Sequence, residues 1–515
     1  MQSDTTQQHD LSLMLVLHKS DNVAIARRML TQGTALGGSL IAKGPIPAGH
    51  KVSIRFIKSG EPILRYGQII GFATKDIEPG LHVHLQNMGL GEFAKDYAFG
   101  AAVRQTDYVD IPATFMGIRR PDGRAATRNY VGILSTVNCS SHVAALVAEV
   151  FKKNPYTGTN PLVEFPNVDG VVALTHKTGC GMTGGEPLTL LRRTLGGYAR
   201  HVNFSHVIVL GLGCEVNQVG GLLEDQSLTG RVRSMDIQTM GGARKTVEAA
   251  VEFVRDVLKD SNQASRQPIL ASELTVGLQC GGSDGLSGVT ANPALGAASD
   301  ILVRHGGTVI LSETPETYGA EHLLTRRAVS REVGEKLIAL MNWWDAYFKR
   351  EGAVMNDNRS PGNMAGGIST IVEKSLGAMA KGGTTNLVDV VKYGETVKGP
   401  GLVFMDTPGY DPVSATGQVA GGANLICFTT GRGSVFGCKP APSIKLASNT
   451  AMYQRMTDDM DVNCGEILSG SETVEECGKR IFDLILRVAS GEHTKSEEFD
   501  FGAAEFAPWV LGATV

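Results

Sequence analysis

Residues 274–293, LTVGLQCGGSDGLSGVTANP, begin as an apolar run and end in a glycine-rich polar turn. The run 274–280 is typical of a buried strand, and a helix-like segment follows at 292–305. A strand that passes through a polar turn into a helix indicates a parallel α/β sheet, in which ligands bind beyond the carboxyl ends of the strands. Cys280, Ser283 and Asp284 therefore lie where such a sheet would bind a ligand.

The same alternation extends on both sides of this stretch. Apolar runs predict strands at 130–139, 170–180, 206–214, 306–313, 401–409 and 424–433. Helix-like segments lie between several of them, and a longer one covers 331–350. The pattern predicts a mainly parallel α/β fold. Because the last two runs follow the long helix, we divide this part into an α/β catalytic domain at 113–395 and a C-terminal α/β domain at 396–515.

The first 87 residues have a different pattern. Short β-rich runs separated by turns such as KGPIPAGH and IEPG predict a compact all-β module at 1–87, and the weakly periodic residues 88–112 predict a linker. His82 and His84 alternate in a predicted strand and would share one face. With His18 and His50 they form a histidine-rich region suited to metal binding or acid-base chemistry, the alternative being a solvated strand face.

Polar and reactive residues recur at the predicted strand ends. They are Asn138, Cys139, His176, Cys180, Cys214, Glu215, Asn217, Gln218, Cys280, Ser283, Asp284 and Glu313. Each has a structural alternative: a cysteine is often a small buried hydrophobe, a histidine can be satisfied in the core, and a carboxylate can cap a helix. The repetition at one edge favours a shared binding site.

Composition and motifs exclude several classes of function. The chain has 515 residues, a formal net charge of -4 and no long Lys/Arg block, so neither nucleic acid nor an anionic membrane is an expected partner. No segment approaches the ~20 apolar residues of a membrane span, and the apolar stretch 11–17 follows no basic cluster, so we expect a cytoplasmic protein. GLGCEVNQ has Val216 where a dinucleotide fingerprint needs its third glycine. TTGRGSVFG can bind an anion through Arg432.

Six ordered motifs carry a family resemblance. They are GIRRPDGRAATRNYVGIL, HKTGCG, VIVLGLGCEVNQ, LQCGGSDGLSGVTANP, SPGNMAGGISTIVEKSLG and FTTGRGSVFG. Together they resemble the altronate and galactarate dehydratases, which are sugar-acid hydro-lyases, and the front module resembles their SAF-type β-clip domain. The resemblance implies loss of water next to a carboxylate to give a 2-keto-3-deoxy acid. Altronate is the favoured substrate, and galactarate or a related aldonate or aldarate is the alternative. A non-catalytic sugar-acid-binding protein is the second class.

Such a reaction needs a cation or strong donors on the carboxylate, a base and an acid. The resemblance implies a divalent metal, Fe(II) with Mn(II) as the alternative, and we expect a homo-oligomer. The predicted catalytic residues are His50, His176, Glu215 and Asp284. The predicted substrate-binding residues are Gln218, Ser283, Asn292 and Arg432. The predicted metal ligands are His18, His82 and His84 or, in an alternative set that binds iron directly or as an iron-sulfur cluster, Cys139, Cys180, Cys214 and Cys280.

Overall fold

The computed structural model describes residues 12–91, 96–154 and 156–514. The strands are β1 Met14–Leu15, β2 Val23–Ala26, β3 Lys51–Ser53, β4 Pro62–Arg65, β5 Gln68–Ala73, β6 His82–Val83, β7 Met88–Gly89, β8 Thr114–Arg119, β9 Ala125–Ala126, β10 Tyr130–Ser135, β11 Gly170–Leu174, β12 Phe204–Gly211, β13 Arg233–Asp236, β14 Arg266–Leu270, β15 Thr275–Cys280, β16 Thr308–Leu311, β17 Leu387–Val391, β18 Gly401–Met405, β19 Leu425–Thr430, β20 Ser443–Ala447 and β21 Val462–Asn463. The helices are α1 Asn138–Glu149, α2 Glu186–Ala199, α3 Val219–Asp225, α4 Ala243–Ser261, α5 Ala291–Arg304, α6 His322–Thr325, α7 Arg331–Glu351, α8 Pro361–Ala365, α9 Ile371–Met379, α10 Asp411–Ala420, α11 Thr450–Arg455, α12 Glu466–Ser469, α13 Val474–Ala489 and α14 Lys495–Glu498.

The N-terminal module consists of two small antiparallel sheets. One has the order β1-β2-β3-β6 and the other β4-β5-β7. Strand β2 is buried at every position, and the described residues 12–91 contain no helix. Met88 pairs with Ala73 across β7 and β5, so the predicted linker 88–112 begins inside the module rather than after it.

The second region is built on a four-stranded parallel sheet in the order β11-β10-β12-β13. Its central strand β10, YVGILS, is buried throughout, as expected of a parallel strand covered on both faces. Helices α1 and α4 pack on one face through residues such as Val147 and Val254. On the other face, Leu195 of α2 joins a core that also contains Val419 and Ile426 of the third region.

The third region is built on a seven-stranded parallel sheet in the order β17-β18-β16-β15-β19-β20-β21. All seven predicted strands of the two large sheets are confirmed, and so is the mainly parallel α/β fold. The boundary predicted at 395/396 falls inside the second of these sheets, because β17 before it pairs with β18 after it. Along the chain, the boundary between the two α/β regions therefore lies between β13 and β15 rather than at residue 395.

The carboxyl end of β18 in the seven-stranded sheet lies near helix α2 of the second region. Glu186, in the first turn of α2 after β11, interacts electrostatically with Asp406, which directly follows β18. Among the described residues, no helix combines the length and the apolar character that crossing a membrane requires.

Candidate functional site

Three histidines of the N-terminal module form one cluster. The ring centroids of His50, His82 and His84 lie 5.1 to 5.5 Å apart, and His50 Nδ1 lies 3.0 Å from His82 Nε2. Burial lowers the pKa of all three imidazoles, to about 4 for His82 and His84. At neutral pH these rings are therefore uncharged, which is the form that binds a metal ion or accepts a proton.

The imidazole cluster lies against the third region. His50 Nε2 pairs with the carbonyl oxygen of Ala365 at 3.1 Å, and His84 Nδ1 with the Ser369 hydroxyl at 2.8 Å. Ala365 is the last residue of α8 and Ser369 lies between α8 and α9, both within the motif SPGNMAGGIST. His82 and His84 remain half-buried, so the cluster is open on one side. His18 is not part of it, because its ring pairs with the Ser20 hydroxyl at 2.7 Å.

A buried ion triad fixes the module to the third region beside this cluster. Lys51 Nζ donates to both oxygens of Glu373 at 2.8 and 2.9 Å, and Arg65 donates to the same carboxylate at 2.7 Å. All three side chains are almost completely buried. Burial alone raises the pKa of Glu373, but the two cations outweigh it and lower the pKa to about 2. The carboxylate is therefore ionised throughout the neutral range.

The turn after β15 is held rigidly by Asp284. Its Oδ1 accepts hydrogen bonds from the backbone amides of Leu286 and Ser287 at 3.1 and 2.8 Å, and from the hydroxyls of Ser287 and Ser448 at 2.7 and 2.9 Å. Ser283 lies in the same turn and accepts a hydrogen bond at its carbonyl oxygen. A cavity of about 10 Å³, room for a single water molecule, lies between this turn, Arg65 and Glu373.

A second buried polar cluster lies at the carboxyl ends of β15 and β16. Among the described residues, Cys280, Glu313 and Glu316 form the group of three potential ligand atoms within 4.8 Å of one another. The ammonium group of Lys381 lies 2.8 Å from the Cys280 sulfur and 2.9 Å from Glu313. Since one cation already neutralises this group, a divalent ion would bind there only after Lys381 had moved away.

This cluster contains two carboxyl groups that titrate near neutral pH. Burial raises the pKa of Glu313 to about 8 and that of Asp411 to about 7. Glu313 has a left-handed backbone, with φ +70°, and one of its carboxyl oxygens is buried without a hydrogen-bond partner. Strain and unsatisfied polar atoms of this kind are commonly found at functional sites. Lys374 connects this cluster to the cavity beside Asp284, because it lines that cavity and donates a hydrogen bond to Glu316 at 2.7 Å.

Three of the four predicted strand-end cysteines converge in the second region. Cys139, Cys180 and Cys214 are all exposed and follow the neighbouring strands β10, β11 and β12. Slight desolvation and the nearby thiols of Cys180 and Cys214 raise the pKa of Cys139. Cys280 is buried in the other sheet, so the structure does not bring all four sulfurs together.

Other predicted site residues are held by internal contacts. His176 is buried, its Nε2 pairs with the Ser135 carbonyl oxygen at 2.9 Å, and its Nδ1 accepts from the Thr178 amide. Glu215 accepts from the Thr136 hydroxyl at 2.8 Å and from the Gly213 amide at 2.7 Å. The side-chain amide of Asn292 donates a hydrogen bond to the Gly377 carbonyl oxygen and accepts one from the Thr429 hydroxyl. Gln218 and Arg432 are exposed near the carboxyl edges of their sheets.

Sequence reasoning missed most of the buried charges. Lys51, Arg65, Glu373, Lys374, Lys381, Glu316 and Asp411 were not among the predicted site residues. The available signal was the motif IVEKSLGAMAKGG, in which three charged residues interrupt an otherwise apolar helix. A charged residue in such a position is normally read as exposed, and only its partners show that it is buried.

Comparison with known proteins matches all three regions. The altronate/galactarate dehydratase SAF domain matches residues 12–90, the second domain of D-galactarate dehydratase/altronate hydrolase matches 117–262, and the C-terminal domain of D-galactarate/altronate dehydratase matches 271–514. A SAF module followed by these two domains defines the class of protein. The chain belongs to the D-galactarate/altronate dehydratase family.

Individual relatives match over nearly the full length. Altronate dehydratase of Bacillus subtilis (strain 168) is 37% identical over 97% of this chain and 99% of its own length. Altronate dehydratase of Escherichia coli (strain K12) is 35% identical over 97% of this chain and 99% of its own. Galactarate dehydratase (L-threo-forming) of the same organism is 38% identical over 94% of each chain. These identities are too similar to distinguish the two substrates.

Proposed function

We propose that this protein removes water from a sugar acid to give a 2-keto-3-deoxy acid, at the junction of the SAF module with the carboxyl edge of the seven-stranded sheet. The observation that carries the proposal is the cluster of three uncharged imidazoles, open on one side, beside a rigid polar turn. Altronate is the first substrate to test. The relative that acts on galactarate, at 38% identity, makes galactarate the second. We further propose a β-clip topology for the module and a homo-oligomeric assembly.

The imidazole cluster suits a divalent metal ion. Its nitrogens are uncharged near pH 7, and imidazole is a common ligand of iron. His50 Nδ1 and His82 Nε2 lie 3.0 Å apart and share one proton, which a bound cation would displace. Among the described residues the three rings do not place three nitrogens within 4.8 Å of one another, so a ring would have to turn for all three to bind one ion. When bound there, Fe(II), or Mn(II) as the alternative, would polarise the substrate carboxylate and make the neighbouring proton more acidic.

The chain's own residues supply the remaining chemistry. A sugar acid is larger than the cavity beside Asp284, so it binds outside that cavity, at the half-exposed side of His82 and His84. Asp284 fixes the turn that contains Ser283, which lines that cavity. Glu313 and Asp411 have pKa values near neutrality, and such groups can accept the proton from carbon or donate one to the departing hydroxyl. The buried triad of Lys51, Arg65 and Glu373 keeps the module in place.

The test is formation of a 2-keto-3-deoxy acid from altronate, galactarate and related acids, under anaerobic conditions with Fe(II) or Mn(II). We expect turnover by the intact chain, and its loss in His82→Ala and His84→Ala. His493→Ala, an exposed histidine, is the matched control and should leave turnover unchanged. Binding of a sugar acid without any keto acid product would instead indicate the non-catalytic binding class.

A further inference from the structure

Three thiols of the second region are exposed at the same edge. Of the chain's eight cysteines, Cys139, Cys180 and Cys214 are exposed and the other five are buried. Free cysteine is one of the residue types most often found in protein interiors, so three exposed thiols on adjacent parallel strands need an explanation. The proposed dehydration at the imidazole cluster does not use them.

The loops that carry these thiols are tied to one another. The amide of Asn138 donates to the Thr178 carbonyl oxygen at 3.0 Å, and the amide of Asn217 donates to the Gly179 carbonyl oxygen at 3.0 Å. Gly179 lies so close to the first loop that an added Cβ would be 2.4 Å from the Thr136 oxygen. The Cys139 thiol is a hydrogen-bonding neighbour of Cys180 and interacts electrostatically with Cys214. The three sulfurs therefore converge on a preformed framework.

Two of the sulfurs are close together and the set of three is wider. The Cys139 thiol is a hydrogen-bonding neighbour of Cys180, whereas among the described residues the three sulfurs do not all lie within 4.8 Å of one another. A single tetrahedral zinc ion, with Zn–S bonds of about 2.3 Å, needs every pair of sulfurs about 3.8 Å apart. An iron-sulfur cluster binds each cysteine through a different iron, so it reaches the third sulfur without bringing all three together.

We propose that Cys139, Cys180 and Cys214 bind an iron-sulfur cluster of the four-iron type, in which one iron has no protein thiolate. Each thiol loses its proton as its bond to iron forms, and two ferrous and two ferric ions combine with four sulfides to give the 2+ cluster, so no electron is exchanged with the protein. Formation of the cluster does not depend on the proposed function, because it is measured without substrate.

The test uses the full chain, prepared anaerobically and incubated with ferrous iron, ferric iron and sulfide. We expect about four irons and about four acid-labile sulfides per chain, with broad visible absorption. Alkylation followed by mass spectrometry should modify Cys139, Cys180 and Cys214 before reconstitution and leave them protected afterwards. Each of Cys139→Ser, Cys180→Ser and Cys214→Ser should lose at least half of the bound iron. Cys438→Ser, a cysteine outside the site, is the matched control for both measurements.

Several results would overturn this inference. Iron or zinc bound without acid-labile sulfide would indicate a single-ion site. A Cys139–Cys180 disulfide in the anaerobic protein would indicate a redox pair instead. Loss of the cluster in Cys280→Ser would show that the sulfurs from both sheets are needed, contrary to the three-thiolate set. Because the three serine variants replace exposed side chains, we expect their circular dichroism spectra to match the parent chain, which separates loss of the cluster from failure to fold.

Discussion

Replacing Glu373 with glutamine removes the carboxylate that two buried cations of the SAF module share. Lys51 is completely buried, and Arg65 is only 2% exposed in its side chain. Glutamine has nearly the same shape and still accepts one hydrogen bond, so the change in charge is isolated from a change in packing. Breaking a buried ion pair by removing one partner costs about 3–5 kcal/mol, because an unpaired charge is left in the interior.

This cost should appear where the module meets the third region. Hydrogen exchange measured by mass spectrometry reports it, since a loss of about 4 kcal/mol in local opening free energy makes exchange about a thousandfold faster. We expect that acceleration in peptides covering β2 and β3 and little change in α13. Asp345→Asn, which breaks an exposed pair with Lys349, is the control and should change exchange by less than about threefold.

A second substitution tests whether the cost arises from charge. Lys51→Met added to Glu373→Gln removes one of the stranded cations, so the double variant should recover part of the lost protection. If Glu373→Gln leaves exchange in β2 and β3 within threefold of the parent chain, the buried triad does not hold the module in place. The same conclusion would follow if the double variant were less protected than Glu373→Gln.

Three further predictions concern acid stability, a loop and the substrate. The pKa of Glu373 is about 2 in the folded chain, below its ordinary 4.5. Its contribution to stability is therefore complete above about pH 4.5 and is lost as the pH falls toward 2. Between those pH values, the melting temperature should fall less in Glu373→Gln than in the parent chain. Gly179→Ala should lower the free energy of unfolding, measured by denaturant titration, by about 1–3 kcal/mol or more. Gly179 has φ +100°, and the added Cβ would lie 2.4 Å from a backbone oxygen. Gly184→Ala is the control and should leave stability unchanged, because its added Cβ meets nothing within 4 Å. Arg432→Ala should raise KM for galactarate, which has two carboxylates, by about tenfold relative to altronate, and Arg455→Ala should leave that ratio unchanged. Equal effects on both acids would exclude Arg432 as the contact of the second carboxylate.

The strand ends were predictable because each predicted strand is a short apolar run followed by polar residues. In a parallel sheet all such ends meet at one edge, which is why Cys139, Cys180 and Cys214 could be placed near one another from sequence. The assignment of each strand to one of the two parallel sheets could not be predicted in the same way. Strand β17, LVDVV, contains an aspartate and is only partly buried, so it was missed, and the seven-stranded sheet was divided at residue 395. Cys280 belongs to that sheet, and its separation from the other three sulfurs follows from the strand order.

The charged contacts could not be predicted because they join distant parts of the chain. Lys51 and Glu373 are 322 residues apart, and each would be assigned to the surface from its residue type alone. His82 and His84 differ in this respect. Their two-residue spacing is local, so their proximity follows from strand geometry without knowledge of the tertiary fold.

The possible metal-binding groups differ in the positive charge already present. Cys280, Glu313 and Glu316 have the shortest mutual distances, but the ammonium of Lys381 lies among them and satisfies the charge that a metal would otherwise neutralise. The imidazoles of His50, His82 and His84 are uncharged, so a cation bound there adds its full charge to the site and can act on a substrate carboxylate. Compactness alone would select the first group. The charge balance favours the second as our proposed metal site, and Glu313, with its pKa near 8, can then exchange a proton rather than bind a metal.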